Sequence, residues 1–83
     1  MLIKSKPNKE FFKGFRKIIG NQLKTIRVNR GYSQEELAEI MNITRSTISK
    51  IENGKFSITV DYLAKFSWYL NFEFSIIPKH ISD

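Results

Sequence analysis

The stretch from Ser33 to Lys55 constrains the fold more than any other part of this sequence, because it predicts two short helices joined by a tight turn. Ser33 is followed three residues later by Glu36, which is the capping-box pattern that begins a helix. Asn42 follows the first helix, and asparagine tolerates the left-handed backbone that a turn between helices needs. The apolar residues at helical spacing, which predict the inward face of this first helix, are Leu37, Ala38 and Met41.

The second helix is predicted to begin after Thr44, whose hydroxyl can cap it. Ile48 and Ile51 face inward, and Asn53 or Gly54 can adopt the left-handed stop. The predicted outward residues are Arg45, Ser46, Thr47, Ser49 and Lys50. Serine and threonine are mediocre helix formers, so another requirement should select them. Together with Arg and Lys they are the groups that meet DNA phosphates and base edges. A solvated basic helix face is the alternative, and composition alone does not separate the two.

This segment resembles the helix-turn-helix of the phage-repressor (XRE-type) family. The matching residues are Ser33-Gln34, Glu36-Leu37-Ala38, Ile43-Thr44, Ser46-Thr47-Ile48-Ser49 and Ile51-Glu52-Asn53-Gly54-Lys55. The match extends more weakly back to about Ile19 and forward to about Leu70. Asn42 stands where the family usually has Gly, and Ile58 stands where Pro is common. Asn and Gly both tolerate a left-handed backbone, so the fold is not put in doubt. The resemblance implies an all-α, four- to five-helix repressor-like DNA-binding domain.

The resemblance also implies which residues meet DNA. They are Gln34, Thr44, Arg45, Ser46, Thr47, Ser49, Lys50, Asn53 and Lys55. Arg45 and Lys50 are the best candidates to bond guanine in the major groove, and the two serines face the same groove as less selective readers. Thr47 would meet a phosphate or a thymine methyl. Gln34 would bond a backbone phosphate beside the N-terminal amides of its helix. Asn53 and Lys55 would hold phosphates at the other end of the recognition helix.

Arg27 and Glu52 are expected to form a structural clamp. In members of the family an Arg near the end of the first helix pairs with the Glu that closes the recognition helix, and both positions are filled here. A buried ion pair adds little net stability over an apolar pair, but loss of one partner costs several kcal/mol. The resemblance therefore implies that neither residue reads DNA.

The N-terminal part of the chain predicts a tail and a helix. Residues 1–8 are expected to form a flexible basic tail, and residues 9–71 the helix-turn-helix domain. Gly20 interrupts the helical pattern and marks either a bend or a boundary between two helices. The apolar stripe along this first helix consists of Phe11, Phe15, Ile18, Ile19, Leu23 and Ile26.

A fourth helix is predicted to begin after Thr59 and to run to about Leu70. Its predicted inward stripe is Val60, Leu63, Phe66 and Leu70. Tyr62, Tyr69 and Trp68 then fall on or beside its outward face. Exposed apolar patches often mark interfaces. The alternative is that these rings cover the first helix, whose own aromatic residues Phe11, Phe12 and Phe15 also need burial.

Residues 72–78 change period and predict a β-strand that ends at Pro78. No second strand is predicted, and a lone strand leaves backbone donors and acceptors unpaired. The simplest partner is the same strand of a second copy, paired antiparallel across a two-fold axis. The expected dimer interface is Tyr62, Tyr69, Phe72, Phe74 and Ile76. This layout is similar to that of HipB-like antitoxins, in which such a strand forms an intersubunit ribbon. The alternative is an extended, solvated segment, and residues 79–83 are expected to be a tail in either case.

The charge distribution favours a polyanionic partner. The net charge is +6, and residues 1–30 hold nine Lys and Arg against one acid. This basic third could be a phosphate-binding arm, a face for an acidic protein, or a solvated helix surface. For Lys13 and Lys17 a solvated surface is the expectation.

Several classes of function find no support in the residues. The chain has no cysteine, which fits a cytoplasmic protein. No apolar run approaches the length of a membrane span. The single histidine, His80, has no acidic or thiol partner nearby, and neither a glycine-rich phosphate loop nor metal-ligand spacing is present. We therefore expect neither an enzyme nor a cofactor or metal.

The resemblance implies a sequence-specific transcriptional repressor that binds double-stranded DNA at an inverted-repeat operator as a homodimer. The favoured setting is the antitoxin of a toxin–antitoxin operon, which neutralises a cognate toxin protein and represses its own operon. A stand-alone phage or chromosomal repressor is an alternative. A protein-interaction adaptor that has kept the fold, and that uses its basic first helix on an acidic protein, is another.

Overall fold

A computed structural model describes residues 5–80 of the chain. The helices of this part are α1 (Lys9–Asn29), α2 (Gln34–Met41), α3 (Arg45–Glu52) and α4 (Val60–Leu70). The all-α expectation and the four-helix arrangement are confirmed. The tails predicted for residues 1–8 and 79–83 lie partly outside the described residues. Within the range 5–80, none of the helices is both long enough and apolar enough to cross a membrane.

Each helix begins at a side chain that accepts a hydrogen bond from the first turn, at Asn8, Ser33, Thr44 and Thr59. The predicted capping box at Ser33 is confirmed in both directions. The Ser33 Oγ accepts the Glu36 N–H at 3.0 Å, and the Glu36 Oε1 accepts the Ser33 N–H at 2.9 Å. Two hydrogen bonds with Ser33 lower the pKa of Glu36 below its ordinary value. The bond from the Ser33 backbone has the larger effect, and the bond with the Ser33 side chain has the smaller one.

Two asparagines supply the left-handed ends of α2 and α4. Asn42 has φ 56° and Asn71 has φ 57°, so the prediction of a left-handed turn at Asn42 is confirmed. After α3 the left-handed residue is Gly54 at φ 71°, whereas Asn53 has φ −93°. Of the two stops that the sequence allowed, the structure uses the glycine.

The core lies among α2, α3, α4 and the C-terminal half of α1. Its buried apolar residues are Leu23, Leu37, Ala38, Met41, Ile48, Ile51, Phe66 and Leu70. These residues include the predicted inward faces of α2 and α3. Val60, however, was predicted to face inward and is 81 % exposed. It lies in the first turn of α4, before the helix reaches the core.

Gly20 does not divide α1, which runs unbroken from Lys9 to Asn29. The glycine instead permits a close approach between helices. A Cβ added at Gly20 would overlap the backbone carbonyl oxygens of Ile51 and Glu52 at the end of α3. The absence of a side chain therefore lets α1 cross directly against the recognition helix.

The N-terminal half of α1 projects beyond the core. Phe11, Phe15 and Ile18 belong to the predicted apolar stripe of this helix, but they are 56 %, 55 % and 60 % exposed. The partners of α1 are short, with 8, 8 and 11 residues, so the core ends near Gly20 while α1 continues. The aromatic rings of α4 do not cover this half of the helix either, because Trp68 is 82 % exposed and points away from the core.

The strand predicted over residues 72–78 is not formed by the single chain: in the range 5–80 no residue is in a strand, and residues 72–80 have no regular secondary structure. Phe72 is half-buried and tied to α4, because its N–H donates to the Ser67 carbonyl and its own carbonyl accepts from the Ser67 Oγ at 2.6 Å. Phe74 and Ile76 are exposed. A strand requires a neighbouring extended segment, and one copy of the described chain supplies none.

Candidate nucleic-acid interface

The outward face of α3 is basic and rich in hydroxyl groups. Ile48 and Ile51 hold the opposite face in the core, with 0 % and 2 % exposure. This burial fixes the rotation of the helix about its axis. Arg45, Ser46 and Lys50 are consequently exposed, and Ser49 and Thr47 are half-buried along the same surface. The structure thus brings the predicted groove-facing residues together on one side of α3.

Two of the predicted DNA-binding hydroxyls already have partners in the protein. The Thr44 Oγ1 accepts the Thr47 N–H at 3.2 Å and lies 2.9 Å from the Thr47 Oγ1. The Thr44 side chain therefore caps α3, and the Thr47 hydroxyl is hydrogen-bonded to this cap. This arrangement fixes the N-terminal end of the helix, which is the part of a recognition helix that reaches base edges.

Arg45 is only weakly restrained. Its Nε lies 3.9 Å from the Glu35 Oε1, and both side chains are mostly exposed. Exposed ion pairs at this distance contribute about 0–1 kcal/mol. A guanine edge or a phosphate can therefore displace Glu35 at small cost.

Asn53 and Lys55 lie at the C-terminal end of α3. The Asn53 Nδ2 donates to the Ser49 carbonyl at 2.8 Å, which holds the amide against the last turn. The Lys55 N–H donates to the Lys50 carbonyl at 2.8 Å, and the Lys55 side chain is exposed. Both side chains therefore stand where the polypeptide leaves the recognition helix.

The predicted clamp between Arg27 and Glu52 is present and buried. The Arg27 Nε and Nη2 donate to the two Glu52 carboxylate oxygens at 2.6 and 3.0 Å. The Arg27 Nη1 donates to the Tyr32 carbonyl at 2.7 Å. The residues are 7 % and 6 % exposed. The only acid of α3 is thus withdrawn from the groove-facing surface and neutralised inside the domain.

Gln34 is part of the same network, which the sequence did not indicate. Its Nε2 donates to the Glu52 Oε1 at 3.0 Å, and its side chain is half-buried. The first residue of α2 is therefore attached to the last residue of α3. Only the three-dimensional crossing of the helices shows this contact, since no local pattern joins the two positions.

Two further arginines, which the sequence reasoning did not single out, tie α1 to the ends of other helices. The Arg30 Nε and Nη2 donate to the Leu70 and Asn71 carbonyls at 2.9 Å each, closing the C-terminal end of α4. The Arg16 Nε donates to the Gly54 carbonyl at 3.3 Å, just after α3. Basic side chains near helix C-termini are a weak general signal for such contacts, but the partner helix cannot be identified from sequence.

Two short helices are joined at a left-handed asparagine, and the second presents cations and hydroxyls to solvent. This arrangement places the chain in the helix-turn-helix class, whose second helix enters the major groove in DNA-binding proteins. The match to known families agrees with this class. The chain belongs to the helix-turn-helix family HTH_3, whose pattern matches residues 23–77.

Two curated relatives from Bacillus subtilis (strain 168) are transcriptional regulators. The chain is 44 % identical over 36 residues to the HTH-type regulator YgzD, and the aligned region covers 43 % of this chain and 54 % of YgzD. It is 38 % identical over 50 residues to the SPbeta prophage-derived HTH-type regulator YonR, and this aligned region covers 60 % of this chain and 46 % of YonR. The chain spans about half the length of these relatives.

Solved regulators share the fold. The restriction-modification controller protein C.AhdI from Aeromonas hydrophila has a TM-score of 0.68 and 27 % identity, with 72 % of this chain and 91 % of that chain covered. The clp gene regulator ClgR from C. glutamicum has a TM-score of 0.65 and 27 % identity, with 68 % and 72 % covered. This chain shares its helix-turn-helix fold with these regulators.

Proposed function

We propose that this protein is a sequence-specific transcriptional repressor that binds an inverted-repeat operator as a homodimer. The observation that carries the proposal is the outward face of α3. It presents Arg45 and Lys50 with two serines, and the one acid of the helix, Glu52, is buried in the clamp. The helix therefore presents no acid of its own on this face, and the nearby carboxylate of Glu35 in α2 is paired with Arg45 at 3.9 Å.

The side chains divide into readers and anchors. Arg45 and Lys50 can donate to guanine O6 and N7, and Ser46 and Ser49 can bond several base edges. Thr47 offers its methyl group to thymine or its hydroxyl to a phosphate. Thr44 lies at the helix N-terminus, where backbone amides favour an anion.

The anchors flank the readers. Gln34 lies at the first turn of α2, where its remaining amide hydrogen and the helix N-terminus can hold a phosphate. Asn53 and Lys55 would hold phosphates at the other end of α3. Anchors of this kind position the protein on the duplex but carry no sequence information.

Dimerisation is proposed through residues 72–77. Phe74, Ile76 and Ile77 are 61–84 % exposed, and residues 72–77 have no regular secondary structure. A second copy could pair with it antiparallel and cover these side chains, with Phe72, Tyr62 and Tyr69 at the edge. Two recognition helices would then be related by a two-fold axis, as an inverted repeat requires.

We propose an antitoxin as the biological setting. A protein partner is favoured by the apolar stripe Phe11, Phe15 and Ile18, which the domain leaves exposed. The alternative is a stand-alone phage or chromosomal repressor, which the likeness to a prophage-derived regulator favours. The two settings share the same DNA-binding mechanism, and co-purification with a neighbouring gene product separates them.

The salt dependence of binding to a labelled duplex tests the central proposal. About three phosphate contacts in each half-site predict roughly a thousandfold or greater loss of affinity between 50 and 200 mM salt. Fluorescence anisotropy on a random-sequence duplex measures this slope. Selection from a randomised library then tests for a palindromic site. Affinity that stays flat across this range contradicts DNA binding and favours an adaptor that acts on an acidic protein.

A further inference from the structure

The N-terminal half of α1 lies beside the end of the recognition helix. Gly54, which follows α3, is buried directly against Lys17. A Cβ added to this glycine would lie 2.7 Å from the Lys17 Cγ and 2.9 Å from its Cα. Lys17 and Asn53 also line one shallow surface concavity. The lysine therefore stands next to a residue that is proposed to hold a DNA phosphate.

The side chains of this half of α1 are divided between two faces. Lys13 lies one turn before Lys17, so the two share the side that is turned toward α3. Phe11, Phe15 and Ile18 recur at helical spacing on another side and are exposed. The basic side is thus continuous with the outward surface of α3. The apolar side borders it at Ile18, which lines the same concavity as Lys17 and Asn53.

Among the described residues, no carboxylate lies within 4.0 Å of the ammonium group of either lysine. In residues 5–80 the ion pairs within 4.0 Å are Arg27 with Glu52 and Arg45 with Glu35, and neither involves Lys13 or Lys17. Like charges one turn apart destabilise a helix by about 0.2–0.5 kcal/mol. A merely solvated helix surface gains nothing from this arrangement, whereas a polyanion placed along it would neutralise both charges.

We propose that Lys13 and Lys17 bind backbone phosphates of duplex DNA, just outside the base pairs that α3 reads. The proposal rests on the proposed function and extends its interface along α1. With a rise of about 1.5 Å per residue, Lys13 lies about 6 Å beyond Lys17 along the helix. The two ammonium groups therefore lengthen the phosphate-binding surface that begins at Asn53. They add affinity without sequence preference, because they meet phosphates and no bases.

The test compares salt slopes on one labelled random-sequence duplex. The variants are the wild type, Lys13→Ala/Lys17→Ala, Lys13→Arg/Lys17→Arg and the matched control Lys65→Ala/Lys79→Ala. Both control lysines are exposed and lie outside the proposed surface. Alanine is a better helix former than lysine, so the α1 variant should fold, and circular dichroism checks this.

Each lost contact lowers the magnitude of the log–log slope by about 0.9, so Lys13→Ala/Lys17→Ala should lower it by about 1.8 for each bound protomer. Between 50 and 200 mM salt, the factor by which affinity falls should therefore be about twelvefold smaller for this variant than for the wild type, for each bound protomer. The arginine variant and the control should keep the wild-type slope.

An unchanged slope in the alanine variant overturns the inference while leaving DNA binding by α3 intact. An arginine variant that loses as much slope as the alanine variant also overturns it, because the charge would not be responsible. A wild-type protein without salt dependence overturns the proposed function itself, and the inference with it.

Discussion

Replacing Arg27 by Met should destabilise the domain severely, because the substitution leaves the Glu52 carboxylate buried without its counter-ion. Three hydrogen bonds disappear: two to Glu52, at 2.6 and 3.0 Å, and one to the Tyr32 carbonyl, at 2.7 Å. Glu52 is 6 % exposed and would keep only the bond from Gln34. Water cannot readily replace what is lost at this depth.

The expected loss is about 3–5 kcal/mol, which is typical when one partner of a buried ion pair is removed. A domain of this length has a total stability of roughly 4–12 kcal/mol. The variant therefore loses a large part of its stability, or unfolds. Urea denaturation followed by circular dichroism measures this, and a loss of 3 kcal/mol lowers the midpoint by about 1–3 M at ordinary slopes.

A matched control and a double variant isolate the cause. Arg45→Met removes an arginine from an exposed pair at 3.9 Å and should cost less than about 1 kcal/mol. Arg27→Met/Glu52→Leu removes both charges and should recover most of the stability. The reasoning is refuted if Arg27→Met costs no more than Arg45→Met. It is also refuted if the double variant is as unstable as Arg27→Met alone.

Four further outcomes are expected. Gly20→Ala should destabilise by several kcal/mol in the same urea assay, because the new methyl group overlaps the carbonyl groups that end α3; a change below about 0.5 kcal/mol would show that the helices separate easily. Deleting the residues after Asn71 should give a monomer in sedimentation, and a truncated chain that remains dimeric would exclude pairing through residues 72–77. Arg45→Ala should cost on the order of 1–3 kcal/mol of binding free energy on a selected site and little on random duplexes, whereas Gln34→Ala should weaken binding to both DNAs alike. Equal losses of affinity on the two DNAs for both variants would contradict the division into readers and anchors. Half-sites should be centred about 34–36 Å apart, so adding five base pairs between them should abolish specific footprinting, and equal protection of both sites would rule out a rigid two-fold dimer.

The helix-turn-helix could be predicted from sequence because its signals are local. The Ser33–Glu36 capping box and the left-handed Asn42 depend on residues within a few positions of one another. The rotation of α3 followed from Ile48 and Ile51 for the same reason. The clamp between Arg27 and Glu52 was anticipated through the family resemblance, not through any local signal.

The errors have a common physical origin in longer-range structure. Helical periodicity placed Phe11 and Phe15 on an apolar stripe, but it could not show that the other helices end before reaching them. The alternation after Asn71 indicated a strand, although strand formation depends on a neighbouring segment. The interruption at Gly20 predicts a bend or a helix boundary, because the sequence does not show which backbone approaches the glycine.

The bond between Gln34 and Glu52 has a consequence for the thermodynamics of DNA binding. A free glutamine that becomes fixed on a ligand loses side-chain entropy worth up to about 2 kcal/mol. Here the Gln34 Nε2 already donates to a buried carboxylate, so its rotamer is selected before any DNA arrives. Its amide nitrogen retains a second hydrogen for a phosphate. The proposed anchor is therefore preorganised, and phosphate binding at this position would require little further ordering of the side chain.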